Sequence, residues 1–98
     1  MELPFRTDRP VLHARKVANR FIVIFDYMTF PKDAPAANMS AFDDQGTLLW
    51  TTPPHTSMST DAWVNFIGED PLRVGNFSGF AATIDLKTGR ILDTEFTK

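Results

Sequence analysis

The chain contains the same short turn-forming pattern twice, and this repeat constrains the fold more than any other feature of the sequence. The two copies are Ala41–Trp50 and Thr83–Leu92. In each copy an apolar residue precedes an Asp, and a Gly follows a short polar run. An Asp at a strand end accepts hydrogen bonds from the amides of the following turn, and a Gly supplies the positive φ that closes a hairpin loop. The pattern therefore predicts two β-hairpins, with turns at 43–46 and 85–89.

The spacing of the two copies predicts two similar β-units. Gly46 and Gly89 are 43 residues apart, and about 40–45 residues make one four-stranded propeller blade. Strand-like alternation or β-branched and aromatic runs occupy eight stretches, and no window has a sustained helical period. The expected fold is all-β, an antiparallel meander of about eight short strands in two four-stranded blade-like units, packed as a small sandwich or flattened barrel. At most one or two helical turns are expected.

The length and the breaks in the pattern predict a single domain. Prolines at 4 and 10 mark an N-terminal arm over 1–10, the first β-unit covers 11–52, a polar proline-led linker covers 53–61, and the second β-unit covers 62–98. The arm is expected to be loosely held. The residues expected to be nearly buried in the core are Ile22, Ile24, Phe42, Leu48, Ile84 and Ile91.

Composition narrows the classes of protein that fit. The chain has no Cys, which excludes disulfides and thiolate chemistry and fits a reducing compartment. No apolar run approaches the ~18 residues of a transmembrane helix, and we expect no membrane contact and a place in the cytoplasm. The net charge is −2, with +3 in residues 1–20 and −5 in residues 21–98. The sequence has no recognition helix and no basic patch interleaved with aromatic residues, so nucleic-acid binding is not expected.

The two hairpins resemble a blade of the pyrroloquinoline-quinone-type propeller repeats, in which an Asp, a Thr-Gly pair and a following aliphatic-Trp pair close the blade. The first copy carries Trp50, whereas the second has Asp93 at that place. More broadly, residues 38–98 are similar to small uncharacterised bacterial β proteins, some of which are suspected immunity or accessory proteins. The resemblance implies local blade-like structure and a protein-binding role. It does not imply quinone binding, which needs a complete propeller.

Catalytic and metal-binding arrangements do not emerge from the sequence. His55, Ser57 and Asp61 lie close together in the linker, but no nucleophile elbow accompanies them, and a polar linker explains them better. The only other histidine is His13, and neither histidine has the ligand spacing of a metal site. We therefore expect no catalytic residues, no cofactor and no metal. Met28, Met39 and Met58 serve either as core filler or as parts of an adaptable contact surface.

Two functions from different classes fit these observations. The first is a non-enzymatic protein-binding module, an immunity-type or accessory protein. The second is a small-ligand-binding or enzymatic β-barrel with an aromatic-lined cavity formed by Phe21, Phe25, Phe66 and Trp63. The possible interaction surface in the first case comprises Trp63, Asp93, Glu95, Arg15 and Lys16. A homodimer is also expected, because outer strands and the doubly apolar stretch 21–28 need covering.

Overall fold

Two four-stranded antiparallel sheets, each built from consecutive strands, make up the fold. The computed structural model describes residues 1–97. The first sheet contains β1 to β4 in that order and the second contains β5 to β8. The strands are β1 Val11–Val17, β2 Arg20–Phe25, β3 Met39–Phe42, β4 Leu48–Thr52, β5 Trp63–Glu69, β6 Leu72–Asn76, β7 Phe80–Ile84 and β8 Ile91–Phe96. The predicted all-β meander in two four-stranded units is confirmed.

The helical content of the described residues is one 3-10 turn. It spans Tyr27–Thr29, and the Asp26 side chain accepts a hydrogen bond from the Met28 backbone N–H. The turn begins inside the apolar stretch 21–28, and β2 therefore ends at Phe25 rather than continuing to the end of that stretch. Helix remains well within the predicted limit of one or two turns.

Both predicted hairpin turns form as their chemistry requires. Gly46 and Gly89 have φ of +84° and +75°. Asp43 Oδ1 accepts from the backbone N–H groups of Gln45 and Thr47, both at 2.9 Å. The hydrogen bond from the Thr47 backbone is the largest influence on the Asp43 carboxyl and holds its pKa below the usual value of 3.8, while desolvation opposes it and the Gln45 amide assists.

The Asp85 carboxyl is held in the same way. Its Oδ1 accepts from the Lys87 backbone N–H at 3.0 Å and its Oδ2 from Thr88 Oγ1 at 3.1 Å. These two bonds lower the pKa of Asp85, the backbone bond from Lys87 most strongly. In both turns, therefore, the Asp side chain accepts hydrogen bonds from backbone N–H groups of the residues that follow it, as the shared sequence pattern predicts.

A β-bulge interrupts the outermost ladder at both edges of both sheets. In β4, Ala41 pairs with Trp50 but Phe42 pairs with Leu48, so Leu49 is an extra residue. In β8, Leu92 is extra in the same way, and β1 and β5 are also irregular. The central pairs β2–β3 and β6–β7 keep a regular register. Bulged edges discourage sheet extension by another chain.

The bulge in β4 corrects one predicted core residue. Because the side-chain period of a strand is two, an inserted residue places Leu48 and Trp50 on opposite faces. Trp50 is buried between the sheets, whereas Leu48 is 56% exposed. Ile22, Ile24 and Ile84 are buried as predicted, and Phe42 and Ile91 are partly buried.

The space between the sheets is filled by apolar side chains from both. The first sheet contributes residues of β2, β3 and β4, and the second contributes residues of β5, β6 and β7; these are Ile22, Ile24, Met39, Ala41, Trp50, Trp63, Leu72, Val74, Ala82 and Ile84. At one side of the sandwich β1 and β2 contact β5. The two units therefore bury their facing surfaces against each other, as a sandwich requires.

The N-terminal arm covers the outer face of the first sheet. The Phe5 ring lies 5.7 Å from the Phe21 ring and 5.3 Å from the Phe42 ring, between ring centroids. Leu3 packs on the same small outer cluster, which contains Val23. The apolar outer face of β2 is thus covered within one chain, and the arm is anchored by aromatic packing rather than by strand pairing.

Candidate functional site

The charged residues expected to form an interaction surface lie on two well-separated strands. Arg15 and Lys16 are exposed on β1, with the Arg15 guanidinium over the Phe66 ring. Asp93 and Glu95 are exposed on β8, and Glu95 pairs with Arg73 at 3.6 Å. β1 packs against β5, and β8 lies at the opposite edge of the sheet that contains β5. The structure does not bring these two charged groups into one surface.

Trp63, the remaining residue of that expected surface, belongs to the core instead. Its side chain is 1% exposed and packs between the two sheets. It follows the linker as the first residue of β5, and large aromatic side chains at such positions are commonly drawn into the core by their apolar area. Trp63 is therefore not a contact residue at the surface.

The four aromatic residues expected to line a barrel cavity are distributed over different parts of the molecule. Phe21 and Phe25 lie on the outer face of the first sheet, under the arm and the segment around Phe30. Trp63 lies between the sheets, and Phe66 packs at the margin of that core. In residues 1–97 these side chains do not line a common cavity.

The histidine, serine and acid of the linker do not form a catalytic arrangement. His55 packs against the Phe80 ring with 4.8 Å between centroids. Asp61 accepts hydrogen bonds from Thr56 and Ser78 rather than from His55. Within the described part of the chain, no group of three His, Cys, Asp or Glu side chains could hold a metal ion.

A cleft lies at the end of the sandwich, where three loop segments meet, and we call it the end cleft. Its volume is about 360 Å³. Three stretches that are distant in sequence form its walls, namely the segment after β2, the end of the linker and the turn between β6 and β7. The lining residues are Tyr27, Met28, Pro31, Lys32, Ala34, Ala36, Ser59, Thr60, Asp61, Ala62 and Phe77.

The floor of the end cleft is fixed by the buried carboxylate of Asp61, which is 3% exposed. Its Oδ2 accepts from Thr56 Oγ1 at 2.6 Å and from Asn76 Nδ2 at 3.2 Å. Its Oδ1 accepts from the Ala62 backbone N–H at 3.0 Å and from Ser78 Oγ at 3.2 Å. Four donors compensate the burial of this carboxylate, and they tie the linker to the turn after β6.

A buried asparagine joins the two sheets directly behind the cleft. Asn38 Nδ2 donates to the backbone oxygens of Phe25 and Trp63, each at 2.8 Å. Asn38 Oδ1 accepts from the Trp63 backbone N–H at 2.8 Å. The Ala36 N–H also donates to the Asp61 carbonyl. The walls of the end cleft therefore belong to one hydrogen-bonded frame.

The rim of the end cleft is apolar and accessible. Phe77 is 51% exposed and its ring lies 6.0 Å from the Tyr27 ring, between centroids. Met28 is more exposed still. Large apolar side chains that are exposed together at a concave site mark interaction surfaces more often than isolated ones do.

Sequence reasoning did not identify the end cleft. The sequence predicts that Met28 is either core filler or part of a contact surface, and the structure places it at the rim, while Met39 is fully buried. The available signal for Phe77 is a large aromatic residue among the turn-forming residues Asn76, Ser78 and Gly79, where a polar residue is usual. Neither observation specified which other segments would meet there.

The part of the chain that the structure describes has no helix long or apolar enough to span a membrane.

Comparison with known proteins identifies the family of the chain but does not indicate a function. No curated protein and no solved structure matches the chain. Residues 4–96 match the model of a family described as "Domain of unknown function (DUF7957)", and the chain therefore belongs to that family.

Proposed function

We propose that the chain is a non-enzymatic protein-binding module, an immunity-type or accessory protein that acts by occupying a partner protein. The observation that supports this proposal is the exposed apolar rim of the end cleft, formed by Met28 and Phe77 beside Tyr27. Such side chains are the usual anchors of protein interfaces, because burying them on binding removes a large apolar area from water. The sheets behind them supply a rigid support.

The packing of the sandwich favours this function over a ligand-binding barrel. Large side chains of both sheets fill the space between them, and the aromatic residues that would have lined a barrel cavity lie on different faces. The large side chains at the rim of the end cleft, Met28 and Phe77, are exposed, so a partner can cover them. The absence of Cys fits a reducing compartment, so we place this function in the cytoplasm.

Affinity capture with matched variants tests the proposal. The tagged chain, the Phe77→Ser variant and the Ile67→Ser variant are used as baits in lysate of the source cell, and the retained proteins are quantified by mass spectrometry. Ile67 is 53% exposed and lies on β5, outside the end cleft, so it controls for the loss of an exposed apolar side chain. The retained protein is then produced recombinantly and titrated against all three baits by calorimetry.

We expect a specific partner to be retained by the parent chain and by Ile67→Ser. Loss of a central aromatic anchor costs about 2 kcal/mol or more, so Phe77→Ser should weaken binding by at least about tenfold. Equal affinity of Phe77→Ser and the parent chain for every recombinant partner would overturn the proposal that the end cleft is the binding site.

A further inference from the structure

We infer that the partner segment received by the end cleft presents an apolar side chain flanked by a carboxylate, and that this carboxylate pairs with Lys32 Nζ. The inference rests on the proposed function and specifies the chemistry of the partner. Two features of the cleft support it. The accessible charge in the cleft wall is positive, and both β-units contribute apolar side chains to the walls.

The accessible charge in the cleft wall is positive. Only two lining residues are charged, Lys32 and Asp61. Asp61 is buried, and its oxygens already accept from four donors, so it has little capacity for a cationic group of a partner. Lys32 is exposed, and its Nζ contacts the Met28 sulfur at 3.7 Å, which is a weak acceptor. Among the described residues, no carboxylate lies within ion-pair distance of Lys32.

Two acidic residues near the cleft limit the range of this positive charge. Asp26 lies just before the 3-10 turn and accepts from the Met28 N–H, and Asp33 follows Lys32 in the chain. At physiological salt, charges more than about 8 Å apart are largely screened. The preference for a carboxylate is therefore expressed by a direct pair with Lys32 rather than by long-range attraction.

The apolar walls define where the neighbouring side chain goes. Tyr27 and Met28 come from the first β-unit and Phe77 from the second, and the Tyr27 and Phe77 rings meet at 62°. An aromatic or branched aliphatic side chain that packs against this ring pair contacts both units. The flexible thioether of Met28 adapts to such a group, and its sulfur lies 3.7 Å from Lys32 Nζ, so the charged group is next to the apolar walls.

A displayed library of random twelve-residue peptides tests the inference. Selection is carried out on the parent chain and, in parallel, on Phe77→Ser, Lys32→Glu and Lys87→Glu. Lys87 is an exposed lysine on the hairpin of the second unit, so Lys87→Glu makes the same change in net charge away from the cleft. Circular dichroism and urea midpoints verify that all variants are folded.

Peptides that bind the parent chain but not Phe77→Ser are called Phe77-dependent. We expect them to carry an aromatic or aliphatic residue within about two positions of Asp or Glu, and to be retained by Lys87→Glu but not by Lys32→Glu. One such peptide and its Asp→Asn or Glu→Gln partner are then titrated by fluorescence anisotropy. The acid-to-amide change should weaken binding to the parent chain about twofold to fivefold, the range of an exposed ion pair, and leave binding to Lys32→Glu almost unchanged or improved, as expected for a directly coupled pair.

The outcomes separate the inference from the function on which it rests. Phe77-dependent peptides without an excess of acidic residues, or an acid-to-amide effect of the same size on Lys32→Glu, would overturn the partner chemistry and leave protein binding at the cleft intact. A library that yields no Phe77-dependent peptide would count against both the partner chemistry and protein binding at the cleft. The calorimetric titration with the captured partner then tests protein binding at the cleft independently of the partner chemistry.

Discussion

The indole ring of Trp50 lies directly on Gly89, so that a Cβ at residue 89 would stand 2.4 Å from Trp50 Cε3. Trp50 lies on β4, the last strand of the first β-unit, and Gly89 closes the hairpin of the second. Trp50 Nε1 and Arg20 Nη1 both donate to the Leu86 carbonyl, each at 2.9 Å. The tryptophan of the first repeat therefore connects the two β-units, and Asp93, at the corresponding place of the second repeat, is exposed.

Gly89→Ala should destabilise the fold strongly. The substitution combines a positive φ, which costs about 1–2 kcal/mol for an L residue, with overpacking against the buried Trp50, which costs about 1–3 kcal/mol. Gly46→Ala is the matched control, because its φ is also positive but the new Cβ would stand 3.0 Å from Phe5 Cβ, which requires a displacement of only a few tenths of an ångström. Urea unfolding of both variants measures the difference. Equal losses of stability would show that the Trp50 contact is unimportant.

The β4 bulge predicts that two similar substitutions, Ile84→Ala and Leu48→Ala, differ in their effect on stability. Ile84→Ala should lower the free energy of unfolding by about 2–5 kcal/mol, because Ile84 is buried and leaves a cavity. Leu48→Ala should change it by no more than about 0.5 kcal/mol, since surface positions contribute little. Urea midpoints measured under the same conditions compare the two. A large loss for Leu48→Ala would contradict the face to which the bulge assigns this residue.

Local chemistry explains why most of the fold could be predicted and why Leu48 could not. Alternating apolar residues and the Asp…Gly turns indicate strands and hairpins wherever they occur, and both turns form at the predicted residues. A bulge leaves no local signature in this chain, because Leu49 is as typical of a regular strand as its neighbours. The position of the bulge depends on tertiary contacts, because β4 must pair with β3 while the Trp50 side chain contacts Gly89 of the other unit.

The end cleft was beyond sequence reasoning for a related reason. Tyr27, Lys32, Ser59 and Phe77 belong to three separate loops, and nothing in any one of them specifies the others. They meet because Asn38 and Asp61 fasten the loops to the ends of the strands. Nothing in the sequence indicates that these two polar residues are buried, and Asp61 has no feature that distinguishes it from the other residues of the linker.

Acid should destabilise the protein in part through the two turn carboxylates. The pKa values of Asp43 and Asp85 lie below 3.8 in the folded chain, so the unfolded state binds protons more readily. Each group therefore stabilises the fold above its ordinary pKa, and this contribution is lost as the pH falls through the lowered value. The double variant Asp43→Asn, Asp85→Asn keeps an acceptor oxygen in each turn and removes the titration.

Urea midpoints measured from about pH 5 to about pH 2 test this expectation, since the linked proton uptake lies in that range. The midpoint of the parent chain should fall more steeply than that of the double variant. Parallel curves for the two proteins would show that these carboxylates do not contribute to the acid sensitivity. Asp33→Asn, which changes an exposed acid outside the two hairpin turns, serves as the control.

A homodimer stays a prediction, and the structure narrows the surfaces that can form it. The arm covers the outer face of β2, and bulges interrupt the edge strands, so we propose that exposed side chains such as Leu49 and Leu92 make the contact. Light scattering at micromolar concentration should give about twice the chain mass of 11.1 kDa, and Leu92→Ser should lower it. A mass that stays at 11.1 kDa as concentration rises would contradict the dimer.

The central claim is that a partner binds at the end cleft, and an NMR titration tests it most directly. The ¹⁵N-labelled chain is titrated with the tightest Phe77-dependent peptide from the library, and the backbone amide shifts are followed. The account predicts that the largest changes occur at Tyr27, Lys32, Ser59 and Phe77. Changes concentrated instead on β1 around Arg15 or on β8 around Glu95, with the cleft amides unmoved, would contradict it.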